Sequence, residues 1–206
     1  MLWSLLRPPR GHLYRPTPRP IARGPRQQRA GARGAVVRIA YADPPYPGQA
    51  RKHYSHDPKC AEVDHAELLA DLAAYDGWAL STSSVALAHV LPLAPDGTRV
   101  AAWVKPFASF KPGVNPGYCW EPVLFRSARK RPRTSSTVRD FHSANVTLQK
   151  GLAGAKPASF TRWVRALTGW IEGDDFVDMF PGTGGVGRVW TGEDARLDLP
   201  LFAEPS

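Results

Sequence analysis

A mostly apolar run that ends in two consecutive prolines constrains this chain more than any other stretch. Residues 36–42 (Val-Val-Arg-Ile-Ala-Tyr-Ala) have the length and composition of a buried strand. Pro44 and Pro45 end the strand, because proline cannot donate a hydrogen bond to a neighbouring strand. We therefore expect Asp43 and Tyr46 at the strand's carboxyl end, the edge where open α/β sheets bind their ligands.

Length and charge predict one domain that is preceded by a basic tail. The 206 residues suffice for one buried core, and the formal net charge is +9. Residues 1–34 contain eight arginines and no acidic residue, so residues 35–206 carry only about +1, that is 9 − 8. The Arg, Pro and Gly content of 1–34 predicts a disordered extension. Such a tail is either simply solvated, a nucleic-acid-binding arm or a transit peptide.

The two cysteines, Cys60 and Cys119, are far apart in the sequence and predict no disulfide framework. This fits a reducing, cytoplasmic compartment. No apolar run is long enough to cross a membrane, and residues 1–6 are too short for the apolar part of a secretory signal. We expect no membrane partner.

Helical and extended patterns alternate along the chain, which predicts a single α/β domain with a mostly parallel sheet. Helices are expected at 61–75, at 85–91 and from Pro157 onwards. Further strands are expected at 78–81, 99–104, 118–126 and 176–180. The strands at 99–104 and 118–126 are predicted to form an antiparallel pair.

A glycine-rich loop follows the last predicted strand and reads Asp178-Met179-Phe180-Pro181-Gly182-Thr183-Gly184-Gly185. With Gly187 it formally matches the dinucleotide-binding fingerprint. A dinucleotide-binding unit also needs a further helix, strand and acidic residue, and the 19 residues after Gly187 do not fit them. This disfavours a nucleotide-dependent oxidoreductase. The missing Lys-Ser/Thr pair argues against a P-loop.

Taken together, the two motifs resemble those of DNA amino-methyltransferases, whose signature is Asp-Pro-Pro-Tyr and whose glycine loop binds S-adenosylmethionine (SAM). Because Asp43–Tyr46 precedes the loop, the order resembles that of circularly permuted adenine methyltransferases of the short phage and actinobacterial type. The resemblance spans residues 36–190. It implies a Rossmann-like fold, SAM as cofactor, and double-stranded DNA with a flipped adenine as substrate, in a bacterial or phage-infected cytoplasm.

The resemblance also implies which residues form the site. The catalytic candidates are Asp43, Pro44, Pro45 and Tyr46. The cofactor candidates are Asp178, Phe180, Pro181, Gly182, Thr183, Gly184 and Lys156, the last in the segment Gly154-Ala155-Lys156-Pro157. Glu193 or Asp194 are candidates for the acid that binds the cofactor ribose, although no clear strand carries either. Met179 stands where many relatives have proline.

The chemistry of an aromatic amine explains why an acid and two prolines would be needed. The lone pair of such an amine is delocalised into the ring, so the nitrogen is a poor nucleophile. Two acceptors that bind both amine hydrogens push the nitrogen towards tetrahedral geometry. The Asp43 carboxylate and the Pro44 carbonyl can form this pair, and Tyr46 can stack on the flipped base. The alternative is a strand-ending turn with a solvated aspartate.

A basic segment at 126–150 occupies the place of a target-recognition region. Its candidate nucleic-acid contacts are Arg126, Arg129, Lys130, Arg131, Arg133 and Arg139. Phe141, His142 and Asn145 are candidates for reading bases. The alternative is a solvated loop.

Other functions are weaker alternatives. An RNA adenine or a DNA cytosine amine could replace the DNA adenine as target, or the chain could be a nucleic-acid-binding protein that has lost catalysis. His53, His56, Cys60 and His65 do not have the spacing of a zinc finger, so we expect no metal. Ser81–Ser84 with His89 lack the sequence of a hydrolase nucleophile elbow. Lys105 and Glu121 are expected either to pair across the sheet or to line the cofactor pocket.

Overall fold

The computed structural model describes residues 36–46, 63–106, 113–132, 134–149, 152–182 and 184–192, of which 147–149 and 152–154 are described by their backbone only. The predicted tail at 1–34 lies outside this part of the chain. So do several candidate residues, namely Thr183, Arg133, Glu193, Asp194, His53, His56 and Cys60.

The described strands are β1 (Arg38–Ala42), β2 (Gly77–Ser81), β3 (Arg99–Val104), β4 (Trp120–Arg126), β5 (Phe141–Ser143), β6 (Thr147–Gln149), β7 (Leu152–Ala155) and β8 (Asp175–Asp178). Six of them form one sheet in the order β5-β3-β4-β2-β1-β8, and β6 and β7 form a separate two-stranded sheet. The predicted strand at 36–42 is thus β1, and it lies between β2 and β8.

Strand directions confirm the predicted mostly parallel sheet. β1 is parallel to both β2 and β8, and β3 is parallel to β5. The predicted antiparallel pairing of β3 with β4 is also confirmed. β4 is antiparallel to β2 as well, so this one strand runs against both of its neighbours. As a consequence, the start of β4 lies at the same edge of the sheet as the carboxyl ends of β1 and β2.

The described helices are α1 (His65–Ala73), α2 (Leu87–Val90), α3 (Ala158–Thr168) and α4 (Gly185–Thr191), with a 3₁₀ turn at Leu91–Leu93. α1 begins later than predicted because the Asp64 side chain accepts hydrogen bonds from the N–H groups of Ala66 and Glu67, which caps the helix there. α2 is shorter than predicted because residues 84–86 form a turn before it and Pro92 lies in the 3₁₀ turn that follows it. The segment 127–150, predicted as helix-poor, contains the short strands β5 and β6.

The core has two halves, one on each face of the sheet, because successive residues of a strand point to opposite faces. Ile39 and Tyr41 of β1 pack towards α3 and α4, whereas Ala40 and Ala42 pack towards α1. Phe160 of α3 is fully buried, with its ring centroid 5.0 Å from that of Trp103 on β3. The result is a three-layer α/β/α domain. No helix in the described part of the chain is both long and apolar enough to span a membrane.

Phe160→Ala is expected to lower the free energy of unfolding by about 3–5 kcal/mol, because it leaves a cavity between α3 and the sheet. Urea denaturation of the purified variant measures this loss. The matched control is Phe141→Ala, which truncates a side chain that is 46% exposed. That change should cost less than about 1 kcal/mol. Equal losses in the two variants would contradict the assignment of Phe160 to the core.

Candidate functional site

The two sequence motifs meet at the carboxyl edge of the sheet. β1 and β8 are neighbouring parallel strands, and Tyr41 of β1 is in register with Asp178 of β8. The N–H of Met179 donates to the carbonyl of Tyr41 over 2.9 Å, which continues the pairing past the end of β8. Asp43 and Asp178 therefore leave adjacent strands at the same edge, although 135 residues of sequence (178 − 43) separate them.

The prolines fix the chain that leaves β1. Pro44 is buried, and the Asp43 side chain just before it is 28% exposed. The Tyr46 hydroxyl donates to Oε2 of Glu121 over 2.8 Å, so the ring of Tyr46 is anchored to the start of β4. Burial and the charge of Asp43 raise the pKa of Tyr46 well above its ordinary value, so this hydroxyl stays protonated. Asp43, Pro44 and Tyr46 thus form one rigid corner of the site.

Lys156 lies behind Asp43 and is almost completely buried. Its Nζ is 3.0 Å from Oδ2 and 3.2 Å from Oδ1 of Asp43, and 3.4 Å from Oε2 of Glu121. Burial acts to lower the pKa of Lys156, but Asp43 and Glu121 outweigh it and raise the pKa above its ordinary value. Lys156 is therefore a cation in this site.

Glu121 is the second carboxylate of the network and also binds Lys105, whose Nζ is 2.7 Å from Oε1. Burial acts to raise the pKa of Glu121, but Lys156 and Lys105 hold it below its ordinary value. Of the two alternatives predicted for Lys105 and Glu121, the pairing across the sheet is the one observed, and it lies at the site. Trp103 was not a candidate; its ring packs against the ammonium groups of Lys105 and Lys156, at 5.5 and 5.2 Å.

Asp178 ends β8 in a partly buried position. Burial raises the pKa of the Asp178 carboxyl to about 6, and the nearby charge of Asp43 adds to the increase. The N–H of Phe180 donates to Oδ1 of Asp178 over 3.2 Å and acts in the opposite direction. A carboxylate that is short of positive partners is a favourable place for a cationic ligand.

The glycine loop after Asp178 turns sharply and leaves space beside its backbone. Gly182 and Gly184 have φ values of 49° and 78°, which disfavour other residues. A Cβ atom built on Gly182 would meet no atom within 4 Å. The helix α4 that follows is anchored by Trp190, which stacks on Phe176 of β8 with ring centroids 3.9 Å apart. The loop is therefore held against β8 while its backbone stays accessible to a ligand.

The first part of the basic segment, from Arg126 to the start of β5, lies at the opposite edge of the sheet. Arg126 ends β4, five residues after Glu121, so the two are about 17 Å apart along the strand. The structure does not bring the described candidate arginines, Arg126, Arg129, Arg131 and Arg139, into the site with Asp43. Arg126 donates to the carbonyls of Ala73 and Tyr75.

Two more of these arginines make hydrogen bonds within the protein. Arg129 pairs with Asp174 and also donates to the carbonyl of Gly169, and Arg131 donates to the carbonyl of Ala166. Together with Arg126, they bind carbonyls at or just beyond the carboxyl ends of α1 and α3, where helix dipoles favour cations. Lys130 and Arg139 are exposed.

His142 and Phe141, proposed to read bases, lie on β5. Nε2 of His142 is 3.0 Å from the Ser159 hydroxyl, and its ring stacks on Trp163. Burial lowers the pKa of His142, and Arg162 lowers it further, so the ring is neutral at pH 7. These contacts attach β5 to α3 and give His142 a structural role.

The weaker alternatives gain no support from the described residues. Ser81 is buried with its hydroxyl 2.9 Å from that of Tyr41, and His89 is exposed on α2, so no Ser–His pair forms here. His65 lies at the start of α1 with Nδ1 3.0 Å from the carbonyl of Val63. Within the described ranges, no group of three or more His, Cys, Asp or Glu residues could hold a metal ion.

Comparison with known proteins finds similarity in structure rather than in sequence. No protein-family model matches the chain, and no curated protein matches it. The crystal structure of the M1.HpyAVI–SAM complex superposes with a TM-score of 0.52 at 15% identity, over 76% of this chain and 78% of that one. The crystal structure of M1.HpyAVI gives a TM-score of 0.48 at 16% identity, over 76% and 77% of the two chains. The first similarity, together with the mostly parallel sheet, identifies a Rossmann-like α/β fold, which this chain shares with that structure.

Proposed function

We propose that this protein is a SAM-dependent methyltransferase that modifies the exocyclic N6 amine of adenine in DNA. The observation that carries the proposal is the meeting of Asp43-Pro44-Pro45-Tyr46 with the glycine loop at adjacent strand ends. An amine acceptor and a loop for a small ligand at one sheet edge are what a methyl transfer requires. The M1.HpyAVI–SAM complex, which has this fold, supports SAM as the ligand.

The residues at the end of β8 fit this cofactor. SAM carries a sulfonium and an α-ammonium group, both positive, and Asp178 is a partly buried carboxylate with a raised pKa. The open backbone at Gly182 gives room for a close approach, and Phe180 lies beside the same turn. We assign cofactor binding to these residues together with Pro181, Thr183 and Gly184. When bound, SAM would supply an electrophilic methyl group.

The residues at the end of β1 would prepare the amine. The exposed part of the Asp43 carboxylate and the Pro44 carbonyl accept its two hydrogens, which returns lone-pair density to the nitrogen. The nitrogen would gain positive charge as it bonds to the methyl carbon while the bond from that carbon to the sulfonium sulfur breaks, and the Asp43 carboxylate would stabilise that charge. The amine would then lose one proton to solvent, and a neutral thioether would remain. Tyr46, anchored by Glu121, offers its ring to a base that has been flipped out of the duplex.

DNA as the partner is supported by the positive charge of the chain, which favours phosphate contacts. Because Arg126, Arg129 and Arg131 already bind the protein, we assign phosphate contacts within the described residues to Lys130 and Arg139. The basic tail would add contacts that do not depend on sequence. Such an enzyme would act in the cytoplasm of a bacterium or of a phage-infected cell.

The test is transfer of labelled methyl from SAM to unmethylated bacterial DNA, followed by digestion to nucleosides. We expect the label in N6-methyladenine, and none in a control duplex built only from G·C pairs. Label in N4-methylcytosine, or label in RNA alone, would show that the substrate is a different amine and not adenine in DNA. If no label moves, and calorimetry detects DNA binding but no SAM binding, the chain is a nucleic-acid-binding protein without catalysis.

A further inference from the structure

Lys156 is a buried cation whose three N–H donors face three acceptors. These are the two carboxylate oxygens of Asp43, at 3.2 and 3.0 Å, and Oε2 of Glu121, at 3.4 Å. The side chain is only 6% exposed, and its ammonium packs against the ring faces of Trp103 and Phe160, at 5.2 and 5.8 Å. An ammonium has three donors, so these contacts satisfy all of them. Lys156 is therefore held in one place.

The ammonium approaches Asp43 from the interior of the protein. The Asp43 side chain is 28% exposed, so part of its carboxylate faces outward while Lys156 stays behind it. Each carboxylate oxygen can accept two hydrogen bonds. The contacts with Lys156 thus leave acceptor positions on the open side, where a substrate amine would donate.

Glu121 connects this pair to the aromatic part of the site. Its Oε2 accepts from both Lys156 and the Tyr46 hydroxyl, and its Oε1 accepts from Lys105. Asp43 and Tyr46 are consequently linked by side-chain hydrogen bonds through Lys156 and Glu121, in addition to the short backbone segment between them. A movement of the ammonium would change the orientation of the Asp43 carboxylate relative to the Tyr46 ring.

We infer that Lys156 is a positioning residue that orients the Asp43 carboxylate and, through Glu121, aligns it with Tyr46. This inference rests on the proposed function. It differs from the sequence-based expectation that Lys156 binds the cofactor, because the described contacts of its ammonium are with Asp43, Glu121 and two rings. A misplaced acceptor lowers the rate of the chemical step far more than it lowers substrate affinity.

Lys156→Met tests the inference, because methionine keeps much of the side-chain volume and removes the charge and the donors. We expect kcat for methyl transfer to fall roughly ten- to a hundred-fold. The Kd for SAM, measured by calorimetry, and the KM for DNA should change less than about two-fold. In an Asp43→Asn background the same substitution should have little further effect, since its action passes through the Asp43 carboxylate.

Each other outcome overturns the inference in a distinct way. A rise in the Kd for SAM that accounts for the lost activity would make Lys156 a cofactor ligand. An equal loss in the natural and Asp43→Asn backgrounds would indicate a structural role. If Lys156→Met does not fold, the double variant Lys156→Met/Glu121→Gln takes its place, because it removes the positive charge together with one of its negative partners. The same kinetic constants are then measured, and an unchanged kcat would also refute the inference. If the natural chain transfers no methyl group at all, the proposed function itself fails.

Discussion

Replacing Asp43 by alanine is expected to lower methyl transfer roughly a hundred- to a thousand-fold, the size of effect seen when one preorganised polar contact to a transition state is removed. Alanine leaves the amine with the Pro44 carbonyl as an acceptor but without a carboxylate beside the developing positive charge. SAM binding should persist within about three-fold, because Asp178 and the glycine loop are intact. Single-turnover transfer of labelled methyl measures the rate, and calorimetry measures the cofactor affinity.

Two further variants serve as controls for the effect of Asp43→Ala. Asp43→Asn keeps a carbonyl acceptor of the same size without the charge, so its activity should lie between those of the natural chain and of Asp43→Ala. Asp175→Ala removes an exposed aspartate from the other end of β8 and should leave the rate unchanged. If Asp43→Ala were as active as Asp175→Ala, the end of β1 would not be the catalytic element.

Asp178→Asn is expected to weaken SAM binding roughly ten- to a hundred-fold, the effect of losing one hydrogen bond to a charged group. The affinity of the natural chain should itself depend on pH. Because the pKa of Asp178 is about 6, its carboxylate is largely protonated below pH 6, and a cationic ligand then loses its partner. Calorimetry between pH 5 and 8 should show affinity rising with pH in the natural chain and a flatter profile in Asp178→Asn.

The same variant should be more stable than the natural chain. Burial raises the Asp178 pKa from 3.8 to about 6, so the folded state disfavours the ionised form, and this penalty is complete above pH 6. Removing the charge should therefore increase the free energy of unfolding by roughly 1–3 kcal/mol at pH 7.5. The gain should shrink as the pH falls from 6 towards 3.8 and disappear well below 3.8, where Asp178 is neutral in both states.

Urea denaturation at pH 7.5 and pH 5 provides this comparison, with Asp175→Asn as a control that replaces an exposed aspartate of the same strand. A variant that binds SAM less tightly and yet unfolds at higher urea would show that Asp178 is retained for binding at a cost in stability. Unchanged SAM affinity in Asp178→Asn would instead contradict its assignment to the cofactor site.

Much of the architecture followed from local sequence rules. The run at 36–42 and the prolines after it specified a strand and its end, and β1 lies at Arg38–Ala42. Alternating patterns predicted the mostly parallel sheet and the antiparallel pairing of β3 with β4. Boundaries were less accurate where a side-chain cap decided them, as at Asp64 before α1. The permuted motif order and the basic tail stay predictions.

Apart from Lys105 and Glu121, whose pairing the sequence offered as one of two alternatives, only the tertiary structure decided which charged groups meet. Hydrophobic periodicity shows which face of an element is buried, but it carries no information about the partner of a lysine or an arginine. The sequence therefore grouped Arg126, Arg129 and Arg131 as nucleic-acid contacts, whereas the fold places them beside carbonyls near the ends of helices. It likewise could not pair Lys156 with Asp43, 113 residues away. That contact exists because β4, β1 and the start of α3 reach the same edge of the sheet, and burial there requires each charge to find a partner of opposite sign.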